Sequence, residues 1–196
     1  YQSAAMLVKE DSIIFNSLPL FHINALNTFT QALTTGATCV LAERFSASQF
    51  WRRVCEVDAT HIAIIGAMAN ILLAQPASAW DTQHRVSTLF ASSVTADAWA
   101  AFSARFRVGR RVGGYGATES NLCFNSQGGW EVQGNMGLVT NGFEAAVFGE
   151  SDIAVPDGTP GELVLRSNVP FAFALGYWGM PEATLSSSSS TVRIAN

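Results

Sequence analysis

Residues 13–112 alternate between short apolar runs and stretches with helical spacing, and this alternation restricts the possible folds more than any other feature of the sequence. Residues 13–18 read as a strand. Residues 25–35 read as a helix that stops at Gly36, a residue suited to a left-handed cap. Residues 37–41 form an apolar, strand-like run. Ser46 or Ser48 would cap the next helix, in which Phe50, Val54 and Val57 share one face at spacings of four and three. Residues 62–65 read as a strand, 67–74 as a helix and 89–91 as a further short strand. Thr95 would cap a helix carrying Trp99, Phe102 and Phe106 on one stripe, a pattern of core packing. Such a sequence predicts an α/β fold with a mainly parallel sheet flanked by helices.

The texture changes after residue 120. Glycines cluster at 128, 129, 134 and 137. Residues 143–148 and 162–166 then read as strands joined by a proline- and glycine-rich turn over 155–161, which predicts an antiparallel, barrel-like β segment. The expected division is an α/β subdomain over 1–135 and part of a β-barrel-like subdomain over 136–196. The serine run at 186–190 reads as a surface loop.

Composition excludes several classes. A chain of 196 residues that is 48% hydrophobic can bury a sizeable core. Charged residues make up only 13%, low for a soluble surface, so either much of the chain is buried or some of its surface faces further protein. Net charge is −4 and no Lys/Arg cluster exceeds a pair, which leaves nucleic-acid binding without electrostatic support. Cys39, Cys55 and Cys123 are odd in number and form no CxxC, so reduced thiols in the cytoplasm are expected. No apolar run reaches the ~18 residues of a membrane helix. The chain opens on Tyr1 without a signal peptide, and it reads as beginning inside a longer sequence.

The segment with most chemistry is Gly113-Gly114-Tyr115-Gly116-Ala117-Thr118-Glu119-Ser120. Its glycines let backbone approach a ligand closely. Tyr115 offers a flat face for a base, Thr118 a hydroxyl and Glu119 a hard oxygen suited to a phosphate and its Mg²⁺. The segment lacks the third glycine of a dinucleotide fingerprint and the lysine of a P-loop. On residues alone it is equally a glycine-rich turn with polar surface.

Tyr115-Gly116-Ala117-Thr118-Glu119 resembles the Tyr-Gly-x-Thr-Glu signature of the adenylate-forming superfamily, which holds acyl-CoA synthetases, firefly luciferase and peptide-synthetase adenylation domains. Three further segments agree in order and spacing. Leu18-Pro19-Leu20-Phe21-His22 resembles the Leu-Pro-Leu-Phe-His segment of acyl- and aryl-CoA synthetases. Ala91-Ser92-Ser93 stands in the place of the small-residue loop that lines the adenine. Gly161-Glu162-Leu163, Gly176-Tyr177-Trp178 and Pro181-Glu182-Ala183-Thr184 resemble the Gly-Glu-Leu … Gly-Tyr … Pro-Glu-Ala-Thr block. The chain thus looks like an internal piece of the N-terminal domain of an AMP-forming acyl-CoA synthetase. Within that group, residues 45–90 are similar to carnitine/crotonobetaine-CoA ligases, through Phe45-Ser46-Ala47, Phe50-Trp51, Gln75-Pro76 and Gln83-His84-Arg85.

The resemblance implies activation of a carboxylic acid by ATP as acyl-AMP, then transfer to coenzyme A, with Mg²⁺ as metal. Thr118 would bond the α-phosphate and Glu119 would bind Mg²⁺. Tyr115 would pack on the adenine opposite Ala91, Ser92 and Ser93, while Gly113, Gly114 and Gly116 would admit the adenylate against backbone. His22 would stand near the acyl carbonyl; without the motif it reads as a satisfied core histidine. His61 reads as strand packing and His84 as surface. Gly66 replaces a common proline, and Ala91-Ser92-Ser93 replaces a more glycine-rich version. The phosphate loop ending in Pro-Lys-Gly, the ribose-binding Thr-Gly-Asp and the small domain's catalytic lysine do not fall within residues 1–196, so this span alone is expected to be inactive. A domain that loads a carrier protein, or an inactive nucleotide-binding piece, are the alternatives.

Overall fold

Five strands and four helices alternate through the first part of the computed structural model, which describes residues 7–126, 136–187 and 191–194. They run β1 (Ile13–Asn16), α1 (Ile23–Thr35), β2 (Thr38–Leu41), α2 (Phe50–Glu56), β3 (His61–Ile65), α3 (Gly66–Leu73), β4 (Thr88–Ser92), α4 (Ala96–Phe106) and β5 (Arg110–Val112). Every pairing in this sheet is parallel, in the order β2-β1-β3-β4-β5. The parallel α/β architecture expected from the alternation is therefore present. The chain moves one way from β1 to β2, then crosses back over β1 to β3 and continues outward. Right-handed crossovers then place α1 on one face and α2, α3 and α4 on the other.

Side-chain alternation agrees with that placement. Asn16 Nδ2 donates to Ala25 O at 3.2 Å and to Thr28 Oγ1 at 2.9 Å, both in α1. Its neighbour Phe15 meets the Phe50 ring of α2 edge-on at 5.5 Å. The core on the second face joins Ile62, Ile64 and Leu89 of the sheet to Trp51 and Val54 of α2, Leu72 of α3, and Phe102 and Phe106 of α4. Each fully buried side chain of this size contributes roughly 1.5–3 kcal/mol.

Gly36 closes α1 at φ 77°, where a glycine pays no steric cost. Thr95 Oγ1 accepts from Ala98 N at 3.3 Å and caps α4. The expected serine cap of α2 is absent. Gln49 holds that position without a side-chain bond, and a turn from Gln49 N to Ser46 O precedes it. The histidines also divide. His61 is buried in β3 and stacks on Phe90 at 5.6 Å, as strand packing requires. His84 is not a surface residue. It is half-buried and stacks on Trp51 at 4.4 Å, and its Nδ1 accepts from Val86 N.

The remaining strands form two small sheets. β6 (Gly114–Ala117), β7 (Asn121–Asn125) and β8 (Leu138–Val139) lie side by side in that order. β9 (Phe143–Phe148), β10 (Glu162–Ser167) and β11 (Thr191–Ile194) form an antiparallel sheet in the order β11-β10-β9, preceded by α5 (Pro181–Ser187) before β11 in sequence. The antiparallel pairing expected for the two segments around 155–161 is thus present. Ser186 and Ser187 end α5; residues 188–190 of the serine run, and the glycines at 128, 129 and 134, lie outside the described residues. The chain divides into two compact units, Tyr1–Gly114 with Asn125–Leu138, and Tyr115–Phe124 with Val139–Asn196. Among the described residues no helix is long and apolar enough to cross a membrane.

Candidate functional site

Open parallel sheets bind ligands beyond the carboxyl ends of their strands, where the strand order reverses. In the first unit that reversal falls between β1 and β3, and four chain segments meet at the carboxyl edge. Asn24, in the first turn of α1, donates from Nδ2 to Ile64 O at 3.1 Å, joining the β1 connection to the end of β3. Gly66 opens α3, and a Cβ built on it would lie 1.9 Å from Ser93 O. Only a residue without a Cβ admits that carbonyl. Gly113 follows β5, and a Cβ there would lie 3.3 Å from Ala91 O. These contacts bring together Ala91, Ser93 and Gly113, three of the residues singled out from sequence.

His22 caps α1. Its Nδ1 accepts from Asn24 N at 3.2 Å, so in the neutral ring the proton sits on Nε2. The ring is half-buried and can offer a donor to a carbonyl or carboxylate. Ala91 is buried, Ser92 half-buried and Ser93 exposed. Ser93 has φ 57°, a left-handed conformation that favours glycine. Arg111 fixes the same loop: Nη1 donates to Val94 O at 2.9 Å and the guanidinium lies over Trp99 at 5.6 Å. Both backbone groups of Gly113 bond Ser126, N to Oγ at 2.9 Å and O from Ser126 N at 3.0 Å. A ligand at Gly113 would therefore meet its Cα and not its amide.

The second unit carries Tyr115, Gly116, Thr118 and Glu119. Residues 113–119, which on residues alone read equally as a glycine-rich turn, are largely strand: β6 takes Gly114–Ala117, and a turn over 118–120 leads into β7. Gly116 has a structural reason to be glycine, since a Cβ would lie 2.2 Å from Asn121 O. Tyr115 is half-buried and meets Phe124 edge-on at 6.2 Å. Burial first, and Cys123 second, push its phenol above the ordinary value, so it stays neutral. Thr118 is exposed in the turn. Glu119 is half-buried and anchored at both ends. Its carbonyl accepts from Ala174 N at 2.8 Å, and its Oε1 accepts from the Tyr177 hydroxyl at 2.6 Å.

Asn24, Arg111, Ser126 and the Tyr177 contact were not legible in the sequence. Each is fixed by a partner across the fold, and no local spacing marks it. Among the described residues no group of three His, Cys, Asp or Glu side chains could hold a metal. Glu119 supplies one carboxylate. That donor set suits Mg²⁺ that arrives with a nucleotide, since Mg²⁺ is commonly held by one or two carboxylates plus substrate phosphates.

The chain is 30% identical over 191 residues to a crotonobetaine/carnitine–CoA ligase of Proteus mirabilis, covering 94% of this chain and 36% of that protein. It is 32% identical over 176 residues to the medium/long-chain-fatty-acid–CoA ligase FadD6 of Mycobacterium tuberculosis, covering 82% of this chain and 29% of that protein. It therefore spans about a third of the length of these curated relatives. The fold matches a benzoate CoA ligase from Burkholderia xenovorans with a TM-score of 0.88 at 22% identity, covering 99% of this chain and 40% of that one. Residues 1–178 match the family described as AMP-binding enzyme, and the chain belongs to that family.

Proposed function

We propose that this chain forms part of an enzyme that activates a carboxylic acid with ATP and joins it to coenzyme A. The observation that carries this reading is the meeting of loops at the carboxyl edge, Gly66 on Ser93 and Ala91 on Gly113, in a family that includes acid–CoA ligases. A carboxylate oxygen attacks the α-phosphorus of ATP, the bond to the β-phosphate oxygen breaks, and acyl-AMP and pyrophosphate result. The thiol of coenzyme A then attacks the acyl carbon and gives up its proton to solvent; the carbon–oxygen bond breaks and AMP leaves with the bridging oxygen.

Both steps gather negative charge, so binding and electrostatic positioning carry the acceleration. In this reading Ala91, Ser92 and Ser93 of the first unit line the adenine, and Tyr115 of the second offers a flat face for a base. Gly113, Gly114 and Gly116 keep the backbone beside the adenylate free of side chains. Thr118 donates its hydroxyl to the α-phosphate. Glu119 would hold Mg²⁺, which when bound offsets phosphate charge. His22, with its proton on Nε2, donates toward the acyl oxygen. The free cysteines Cys39, Cys55 and Cys123 suit a reducing compartment, and we assign the reaction to the cytoplasm.

The test is exchange of labelled pyrophosphate into ATP by the intact protein, with a panel of aliphatic, aromatic and quaternary-ammonium acids. The reading expects exchange that needs an acid and does not need coenzyme A. Glu119→Ala should lower it by about 2–4 kcal/mol of transition-state stabilisation, the scale of one lost electrostatic contact. Unchanged exchange in a folded Glu119→Ala protein would overturn the assignment.

A further inference from the structure

The block Gly176-Tyr177 … Pro181-Glu182-Ala183-Thr184 has no part in the nucleotide reading above, yet it converges on Glu119. Ala174 N donates to Glu119 O at 2.8 Å and the Tyr177 hydroxyl donates to Glu119 Oε1 at 2.6 Å. The second distance is that of a charge-assisted O–H···O⁻ bond. Tyr177 is itself held. Its backbone N donates to Thr184 Oγ1 at 2.9 Å, and Thr184 Oγ1 donates to Met180 O at 3.0 Å, at the start of α5. Gly176 has φ +140°, and a Cβ on it would lie 2.6 Å from Thr184 Cγ2, so glycine is what lets the strap close on α5. All of these residues belong to the second unit.

We propose that Tyr177 is a positioning residue for Glu119: its hydroxyl occupies Oε1, fixes the carboxylate rotamer, and leaves Oε2 as the oxygen that would take a nucleotide-borne Mg²⁺. The proposal rests on the metal-binding role of Glu119 given above. A glutamate on a turn loses considerable rotamer freedom when it is ordered. A partner that orders it beforehand removes that cost from the binding step, which is how preorganisation raises affinity. Gly176 and Thr184 then act one step further out, by holding Tyr177.

Tyr177→Phe removes one oxygen from a residue that is 40% exposed, so the fold should persist; its unfolding temperature checks this. The measurement is calorimetric binding of ATP to the intact protein, with Mg²⁺ and with EDTA, beside Mg²⁺ titrations of pyrophosphate exchange. Tyr177→Phe should weaken Mg²⁺-dependent ATP binding about tenfold, the scale of one charge-assisted hydrogen bond. It should leave metal-free ATP binding unchanged and raise the Mg²⁺ requirement more than it lowers the rate at saturating Mg²⁺. Thr184→Val should shift the Mg²⁺ requirement in the same direction by less. Glu119→Gln separates the two layers. If it leaves Mg²⁺-dependent binding intact, the site reading fails and this proposal with it. If Glu119→Gln weakens binding and Tyr177→Phe does not, the Tyr177 role alone is overturned.

Discussion

Replacing Gly66 with alanine adds a single methyl group at the most crowded point of the carboxyl edge. The new Cβ would lie 1.9 Å from Ser93 O and 2.8 Å from Ser93 C, both backbone atoms that cannot rotate away as a side chain would. The β4–α4 loop must therefore move. Overpacking of this kind costs about 1–3 kcal/mol. Alanine returns at most ~1 kcal/mol of helix propensity, and only part of that at the first position of α3. The net loss should be about 0.5–2.5 kcal/mol, or roughly 1–10 °C in Tm at about 2–4 °C per kcal/mol for a domain of this size. Because Ser93 belongs to the proposed adenine loop, KM for ATP should rise more than kcat falls. The same contact links two departures from the family pattern. A proline at 66 would also carry a Cβ, so glycine there and the left-handed Ser93 belong together. Ser93→Gly alone should change stability by less than about 0.5 kcal/mol, since relief of the left-handed strain is offset by added chain entropy. In the Gly66→Ala background it should recover part of the loss, because the carbonyl can then turn aside. Chemical denaturation of the four variants of this cycle measures it. A Gly66→Ala protein as stable as the parent, with unchanged KM for ATP, would refute the crowding.

Two further predictions concern stability. Arg105 donates to Asp81 Oδ2, Leu73 O and Pro76 O at 2.9, 2.7 and 3.0 Å, and Asp81 is only 7% exposed, so Arg105→Met should cost about 3 kcal/mol and Asp81→Asn should recover part of that, read by urea midpoints. Burial lowers both His61 and His84 below their ordinary value of 6.5, with Asp11 opposing for His61 and the Phe106 and Asp81 carbonyls opposing for His84. The unfolded chain then binds more protons, so their contribution is present above pH 6.5 and is lost as pH falls below it through the folded values; His84→Gln should flatten that acid limb between pH 7.5 and 5.5.

The parallel sheet could be read from the sequence because each of its parts announces itself locally. Apolar runs such as His61–Ile65 have no polar interruption after the histidine, while Trp99, Phe102 and Phe106 repeat at helical spacing, and Thr95 and Gly36 mark ends. β6 gave no such signal. Two of its four residues are glycine, and it is a strand because β7 lies beside it. The serine cap of α2 failed for a related reason: Gln49 sits in the αR region, so the turn before it leaves no extended residue to offer a side-chain oxygen. His84 looked like surface amid Gln83 and Arg85, and only the fold brings Trp51 over it. The motif residues around 115–119 were legible as a group, but their supports were not. Tyr177 stands 58 residues from Glu119, and no periodicity spans that distance.

Adenylate formation is tested most directly by following an oxygen atom. The intact protein is given ATP, coenzyme A and a carboxylic acid labelled with ¹⁸O in both carboxylate oxygens, and the products are weighed by mass spectrometry. Attack of the carboxylate on the α-phosphorus, then cleavage of the acyl carbon–oxygen bond by the thiol, must leave one labelled oxygen in AMP and one in the thioester. Label in inorganic phosphate with ADP as product, or AMP free of label, would contradict an adenylate mechanism.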